Sequence, residues 1–243
     1  MGAVTNQHTA NSGVGFELAA QLMAKSSYHV LLGARTAEKG EAALKELQSR
    51  GLPGSAELLL IDVTDDNTIE RAASKVQQEH GKLDILVNNA GISSTNPSLR
   101  QQMRDSFDTN TTGPAVVTIA FAPLLKLSTS SPRIVNISSG AGSITRRLDP
   151  ESVMYKIQEV AYRASKTALN MVTACQHVEY MEDGIKVFAY CPGFVVSNIG
   201  PYNKPEMGAS PTKDGVIPLI EILEGKRDDE AGKFVQRKEG YPW

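Results

Sequence analysis

Arg133-Ile-Val-Asn-Ile-Ser-Ser-Gly140 is the stretch on which the reading of this chain turns. A short β-branched run closed by turn-forming residues reads as a buried strand, and this one ends in two hydroxyls and a glycine. Leu83-Asp-Ile-Leu-Val-Asn-Asn-Ala-Gly91 upstream and Ile185-Lys-Val-Phe-Ala-Tyr-Cys-Pro-Gly193 downstream have the same build. Parallel α/β sheets hold their ligands at the carboxyl ends of strands. Ser138 and Ser139 fall at such an end.

Between the last two runs lies Tyr162-Arg163-Ala164-Ser165-Lys166. It opens a helical pattern from Ala161 to Tyr180 in which Leu169, Val172 and Cys175 recur at three-residue spacing. Residues four apart share a helix face, so Tyr162 and Lys166 point into one space. An ammonium there favours the phenolate and is expected to lower the tyrosine pKa from its reference of about 10. A tyrosine tuned in this way exchanges protons near neutral pH. A half-buried tyrosine beside a snorkelling lysine gives the same five letters, so the pentapeptide alone does not settle the matter.

Taken together, these motifs resemble the short-chain dehydrogenase/reductase family, and in particular its carbonyl-reductase-like members with an enlarged segment before the active-site tyrosine. The match runs from about Asn11 to the C-terminus. The resemblance implies an α/β fold of Rossmann type, a doubly wound parallel sheet with helices on both faces, forming one domain over residues 1–243. It implies that Tyr162 is the general acid/base, that Ser139 polarises the substrate, and that Lys166 tunes Tyr162 and holds the nicotinamide ribose. Asn110, in Asp108-Thr-Asn-Thr-Thr-Gly113, would hold a water for proton relay at a break in the long helical pattern Leu99–Leu127. A buried asparagine packed for structure is the other reading, and the two are compatible. Asn88, Ala90 and Gly91 would follow the adenine ribose and nicotinamide side, and Asp62 and Val63 would border the adenine. Pro192-Gly-Phe-Val-Val-Ser197 matches the family's P-G-x-x-x-T with serine for threonine, so Pro192, Gly193, Val195 and Ser197 join the cofactor set.

The amino terminus departs from this pattern. A dinucleotide fold begins with a buried strand feeding a glycine-rich turn, whereas residues 1–10 are short, polar and poor in β-branched aliphatics. One reading takes Thr9-Ala-Asn-Ser-Gly-Val-Gly15 as the turn, with Thr9 where the first glycine belongs and Asn11, Ser12, Gly13, Val14 and Gly15 facing the pyrophosphate. Another puts that glycine at Gly2 and leaves no room for the first strand. In both, a helical run, Phe16–Lys25, follows, so a helix amino terminus can face a phosphate.

His29–Arg35 reads as the second strand. Arg35 stands where an acidic residue would accept from the ribose hydroxyls of NAD. A guanidinium pairs with phosphate, which points to NADP(H). Further strands are expected at Glu57–Val63 and Gly232–Arg237, and helices at Thr36–Arg50, Thr68–Glu79 and Pro211–Gly225. The stretch 143–160, which lengthens the Ser139–Tyr162 spacing, and the loop 198–210, rich in glycine and proline, are expected to form the substrate pocket. Ile144, Met154, Tyr155, Phe194 and Ile199 suggest an apolar ketone or aldehyde.

A net charge of −2, from 25 basic and 27 acidic residues, offers no field for nucleic acid or an anionic membrane. No apolar run reaches the ~20 residues that cross a bilayer, and no signal-peptide pattern opens the chain. Two cysteines, Cys175 and Cys191, in apolar surroundings read as reduced, buried thiols, which fits the cytoplasm. No metal site is expected. The resemblance allows homo-dimers or homo-tetramers through helices near 115–125 and 162–181, and monomers as well. Two other functions stay in view: a non-catalytic NADP(H)-binding protein, motivated by the odd amino terminus, and a non-redox lyase or isomerase on the same fold.

Overall fold

The computed structural model describes the backbone of residues 2–7 and, in full, residues 13–152, 154–237 and 240–243. Seven parallel strands form one sheet: β1 (Gly2–Gln7), β2 (His29–Ala34), β3 (Ser55–Leu60), β4 (Ile85–Asn88), β5 (Arg133–Ile137), β6 (Lys186–Tyr190) and β7 (Phe234–Val235). Their order is β3-β2-β1-β4-β5-β6-β7, which reverses direction between β1 and β4. Ligands of open α/β sheets gather at that reversal. Gly2–Gln7 therefore forms the first strand despite its composition, paired with β2 on one side and β4 on the other. The reading that left no room for a first strand is overturned. The turn itself, Asn11 and Ser12 included, lies outside the described residues.

Alternation along the strands sorts the core into two layers. Val30, Leu32, Ile85, Val87, Val135, Ile137, Phe188 and Tyr190 face α1 (Gly13–Met23), α2 (Ala37–Ser49) and α8 (Thr212–Leu223). Leu31, Leu86, Ile134 and Val187 face the other way, onto α3 (Asp66–His80), α5 (Gly113–Lys126) and the end of α7 (Val160–Tyr180). This is the doubly wound arrangement that the resemblance implies.

The pattern read as one helix over Leu99–Leu127 is α4 (Leu99–Phe107), a π-helical turn (Asp108–Thr112) and α5 without interruption. Pro114 has no N–H to give the Asn110 carbonyl, so the i→i−4 ladder lapses there. The Gly113 amide bonds back to Asp108 instead. Such an insertion re-aims side chains and recurs at functional sites.

Candidate active site

On the α7 side of the sheet the strands change character along their length. Leu86 gives way to Asn88, and Ile134 to Asn136 and then Ser138, all buried. The α7 face that meets them is polar too: Ser165, Lys166, Asn170, Thr173 and Gln176 are its buried positions. Asn88 Nδ2 donates to Asn136 Oδ1 (2.8 Å) and Thr118 Oγ1 (3.1 Å). Asn136 Nδ2 donates in turn to Thr173 Oγ1 (2.9 Å) and Gln176 Oε1 (2.8 Å). Ser138 Oγ donates to Asn170 Oδ1 (2.5 Å), so Ser138 is a structural neighbour and Ser139 is left for the pocket. The helix spans Val160–Tyr180 as expected, but the apolar triplet Leu169, Val172, Cys175 misjudged which of its faces turns inward. Leu169 is buried and Val172 half-buried, but Cys175 is exposed, contrary to expectation, because the polar stripe takes the inner face.

The π-turn drives Asn110 fully inside. Its Oδ1 accepts from the Ile92 amide and its Nδ2 donates to the Ile92 carbonyl, each at 2.8 Å, and to Ser165 Oγ at 2.9 Å. Thr111 Oγ1 donates to the Ser165 carbonyl (2.9 Å). The helix break is thus stitched to the helix that carries Tyr162 and Lys166.

Ser139 is a polar neighbour of Tyr162 that favours its ionised form, and the Lys166 ammonium lies 6.0 Å from the centre of the Tyr162 ring. Lys166 is buried and its Nζ donates to the Ile137 carbonyl at 2.8 Å. The expected lowering of the tyrosine pKa is reversed. Desolvation pushes the phenol up to about 12 against the opposing pull of Ser139. The same desolvation pushes Lys166 down to about 8. Burial penalises the charged form of both groups.

The candidate cofactor residues border the same carboxyl ends. Gly13 opens α1 at φ +78°, a conformation that disfavours a side chain, and a Cβ there would lie 3.6 Å from Ser197. Val14 and Gly15 follow in the first turn, with Val14 in the core. A Cβ on Gly91 would meet Asn110 Oδ1 and Lys166 Nζ, each at 3.4 Å, so this bare backbone sits beside two of the candidate catalytic tetrad Asn110, Ser139, Tyr162 and Lys166. Arg35 is exposed just past β2. Asp62 accepts from the Thr64 amide (3.0 Å) and hydroxyl (2.8 Å), and Val63 and Ala90 are buried. Pro192 is buried, Gly193 adopts φ +82°, and Val195 bridges to Ser210.

Sequence reading missed what holds the enlarged segment. Arg163 is buried, and its guanidinium donates to the carbonyls of Met154 (2.7 Å), Ile157 (3.1 Å) and Ala141 (3.3 Å). Three carbonyls around one fork fix the segment against the first turn of α7. Glu159, just before that turn, takes the left-handed φ of +35°, a strained backbone state that recurs beside functional sites. The chain's end contributes as well: the Trp243 carbonyl accepts from the Thr145 amide (3.2 Å) and Ser143 Oγ (3.3 Å), and Trp243 stacks on Phe234. The basic residue inside the pentapeptide was the available signal for Arg163; the tail contact left none.

At the switch point Lys166 and Asn110 are buried and Tyr162 and Ser139 half-buried, an arrangement that fits an oxidoreductase of the nicotinamide-binding class. The family model for short chain dehydrogenase matches residues 8–207. The short-chain dehydrogenase/reductase tropE of Talaromyces stipitatus is 36% identical over 248 residues, covering 93% of this chain and 91% of its own. The short-chain dehydrogenase anuI of Penicillium roqueforti is 39% identical over 233 residues, with 93% and 90% covered. Among solved structures, the NADPH-bound carbonyl reductase from chicken fatty liver matches with a TM-score of 0.82 at 28% identity, over 99% of this chain and 98% of that one. The chain belongs to the short-chain dehydrogenase/reductase family and is a redox enzyme of its carbonyl-reductase-like kind. No helix among the described residues is long and apolar enough to cross a membrane.

Proposed function

We propose that this protein is an NADP(H)-dependent carbonyl reductase interconverting a ketone or aldehyde and an alcohol. The juxtaposition of Ser139 and Tyr162 beside a buried Lys166 carries this reading. The cofactor, when bound, supplies or accepts the hydride. With its pKa raised, Tyr162 holds its proton throughout the working range and can donate it to a nascent alkoxide. Ser139 donates to the same oxygen and stabilises charge as it develops. Lys166, beside Gly91 and Asn110, meets the nicotinamide ribose and can replace the Tyr162 proton. Asn110 fixes the helix break through which a water-linked route to solvent would run.

Arg35 is the residue positioned to pair the 2′-phosphate of NADP(H), and NADPH in the chicken carbonyl reductase is consistent with that choice. The substrate faces residues 143–160 and 198–210, with Ile144, Tyr155 and Phe194 supplying exposed apolar surface. One domain holds both cofactor and substrate. A small-molecule partner, a reducing compartment such as the cytoplasm, and self-association through α5 and α7 complete the proposal.

Fluorescence titration tests cofactor choice: NADPH binds tightly, NADH at least tenfold more weakly, and Arg35→Asp closes the gap. Equal affinities in the native protein would remove Arg35 from the role. Tyr162→Phe is expected to keep NADPH binding and lose about 10²–10⁴-fold in carbonyl turnover; native turnover in this variant would sink the mechanism.

A further inference from the structure

At the amino-terminal edge of the sheet, opposite Tyr162, three side chains from three rigid elements converge. His29 is the first residue of β2, Glu57 the third of β3, and His80 the last of α3. Their ligand atoms all lie within 4.8 Å of one another. His29 pairs in register with Ser55, and its Nδ1 is 2.7 Å from Ser55 Oγ. Ring orientation is therefore fixed from behind, as second-sphere hydrogen bonds fix metal-binding imidazoles. The opposite nitrogen, His29 Nε2, is shut off from solvent and has no hydrogen-bond partner among the described residues. It faces Glu57 Oε1 at 3.9 Å, while His80 Nε2 meets that same oxygen at 2.8 Å. Buried polar nitrogens are nearly always satisfied, so an orphan aimed at a carboxylate and a second imidazole points to a missing positive centre.

We propose that His29 Nε2, His80 Nε2 and the Glu57 carboxylate form a site for one divalent transition ion of the zinc type, with water in the remaining positions. Two imidazoles and a carboxylate are a ligand set that zinc uses, at about 2.0–2.1 Å from each donor, which places tetrahedral ligands about 3.3 Å apart. The pairs at 2.8 and 3.9 Å straddle that value, and small side-chain rotations close the triangle. Binding requires that His80 Nε2 give up any proton it shares with Glu57. Lys75, the nearby cation, is occupied by its ion pair with Glu79. An ion here would tie β2, β3 and α3 together below the nucleotide half of the sheet. The site is independent of the reductase chemistry.

Full-length protein stripped with a chelator is titrated with zinc sulfate by calorimetry, with cobalt(II) absorption as an optical report of the ligand field. One ion per chain with micromolar or tighter Kd is expected, with a thermal-melt increase of roughly 5 °C at saturation. His29→Gln and His80→Gln should each weaken binding at least tenfold and leave NADPH affinity unchanged. His80 is exposed at a helix end, so its variant folds even if His29→Gln does not. Absence of uptake below about 100 μM would overturn the proposal. So would uptake of equal affinity in the His80 variant, which would put the ion on other residues.

Discussion

The two faces of this sheet are made by the same strands and solve different problems. On the face under α1, α2 and α8, the central inward positions of β4, β5 and β6 are apolar, from Ile85 and Val87 to Phe188 and Tyr190, with buried Arg133 at the start of β5 as the charged exception. On the other face the apolar column stops at Leu86 and Ile134. Beyond it, Asn88, Asn136 and Ser138 bond to one another's partners on α5 and α7. The first face holds its helices by area, which is non-directional and forgiving of shape. The second holds α7 by hydrogen bonds that are satisfied in only one register, so it fixes where Tyr162 and Lys166 stand. Stability and positioning are thereby divided between the faces.

Removing side-chain volume from the apolar face should give the largest loss of stability. Leu22 of α1 is fully buried among these residues, and Leu22→Ala should lose about 2–5 kcal/mol in denaturant unfolding. The protein that stays folded should turn over substrate at the native rate. A comparable fall in turnover per folded molecule would mean that the faces are coupled.

Asn136→Leu makes the opposite test, adding apolar surface to the polar face. It removes the donor that Gln176 Oε1 accepts from, and an unsatisfied buried group costs about 1–3 kcal/mol. A loss of about 2 kcal/mol is expected in the same unfolding experiment, accompanied by slower turnover because α7 loses its register. A variant as stable and as active as the native protein would show that the network is incidental.

The difference between the faces also decided what the sequence could disclose. The β-branched strands and their polar ends were readable, and with them the sheet and the tetrad's place. The phase of α7 was not, because Lys166, Asn170 and Thr173 recur with the same helical period as Leu169, Val172 and Cys175; periodicity counts apolar residues and cannot see a buried polar stripe. Gly2–Gln7 was illegible as a strand because its pairing comes from neighbours on both sides rather than from its own side chains. The Tyr162 pKa depended on how far folding desolvates the phenol, which spacing does not encode.

The Lys166 ammonium gives a pH test of the polar face. Lys166 is charged below its pKa of about 8 and neutral above it, whereas Tyr162 stays protonated to about 12. Reductive kcat/KM, which reports the free enzyme, should therefore decline about tenfold per unit as pH rises beyond about 8. The lysine, not the tyrosine, sets this limb. A profile flat to pH 10 would mean that the Lys166 charge is not needed for the encounter with cofactor and substrate.

The smallest effect is expected where the polar face meets the pocket wall. Arg163 reaches the carbonyls of Met154, Ile157 and Ala141 with one planar fork, and a lysine ammonium cannot span all three from a single point. Arg163→Lys keeps the charge and most of the stem, so Leu22-like destabilisation is not expected. What it releases is residues 143–160, one wall of the proposed pocket, while Tyr162 and Lys166 remain held by Ser139, Ile137 and the stripe beneath them. A rise of several-fold in KM for the carbonyl substrate with kcat nearly native is the expected split. Equal falls in kcat and kcat/KM would instead mean that the clamp positions Tyr162 itself, and the division between a face that positions chemistry and a wall that selects substrate would have to be redrawn.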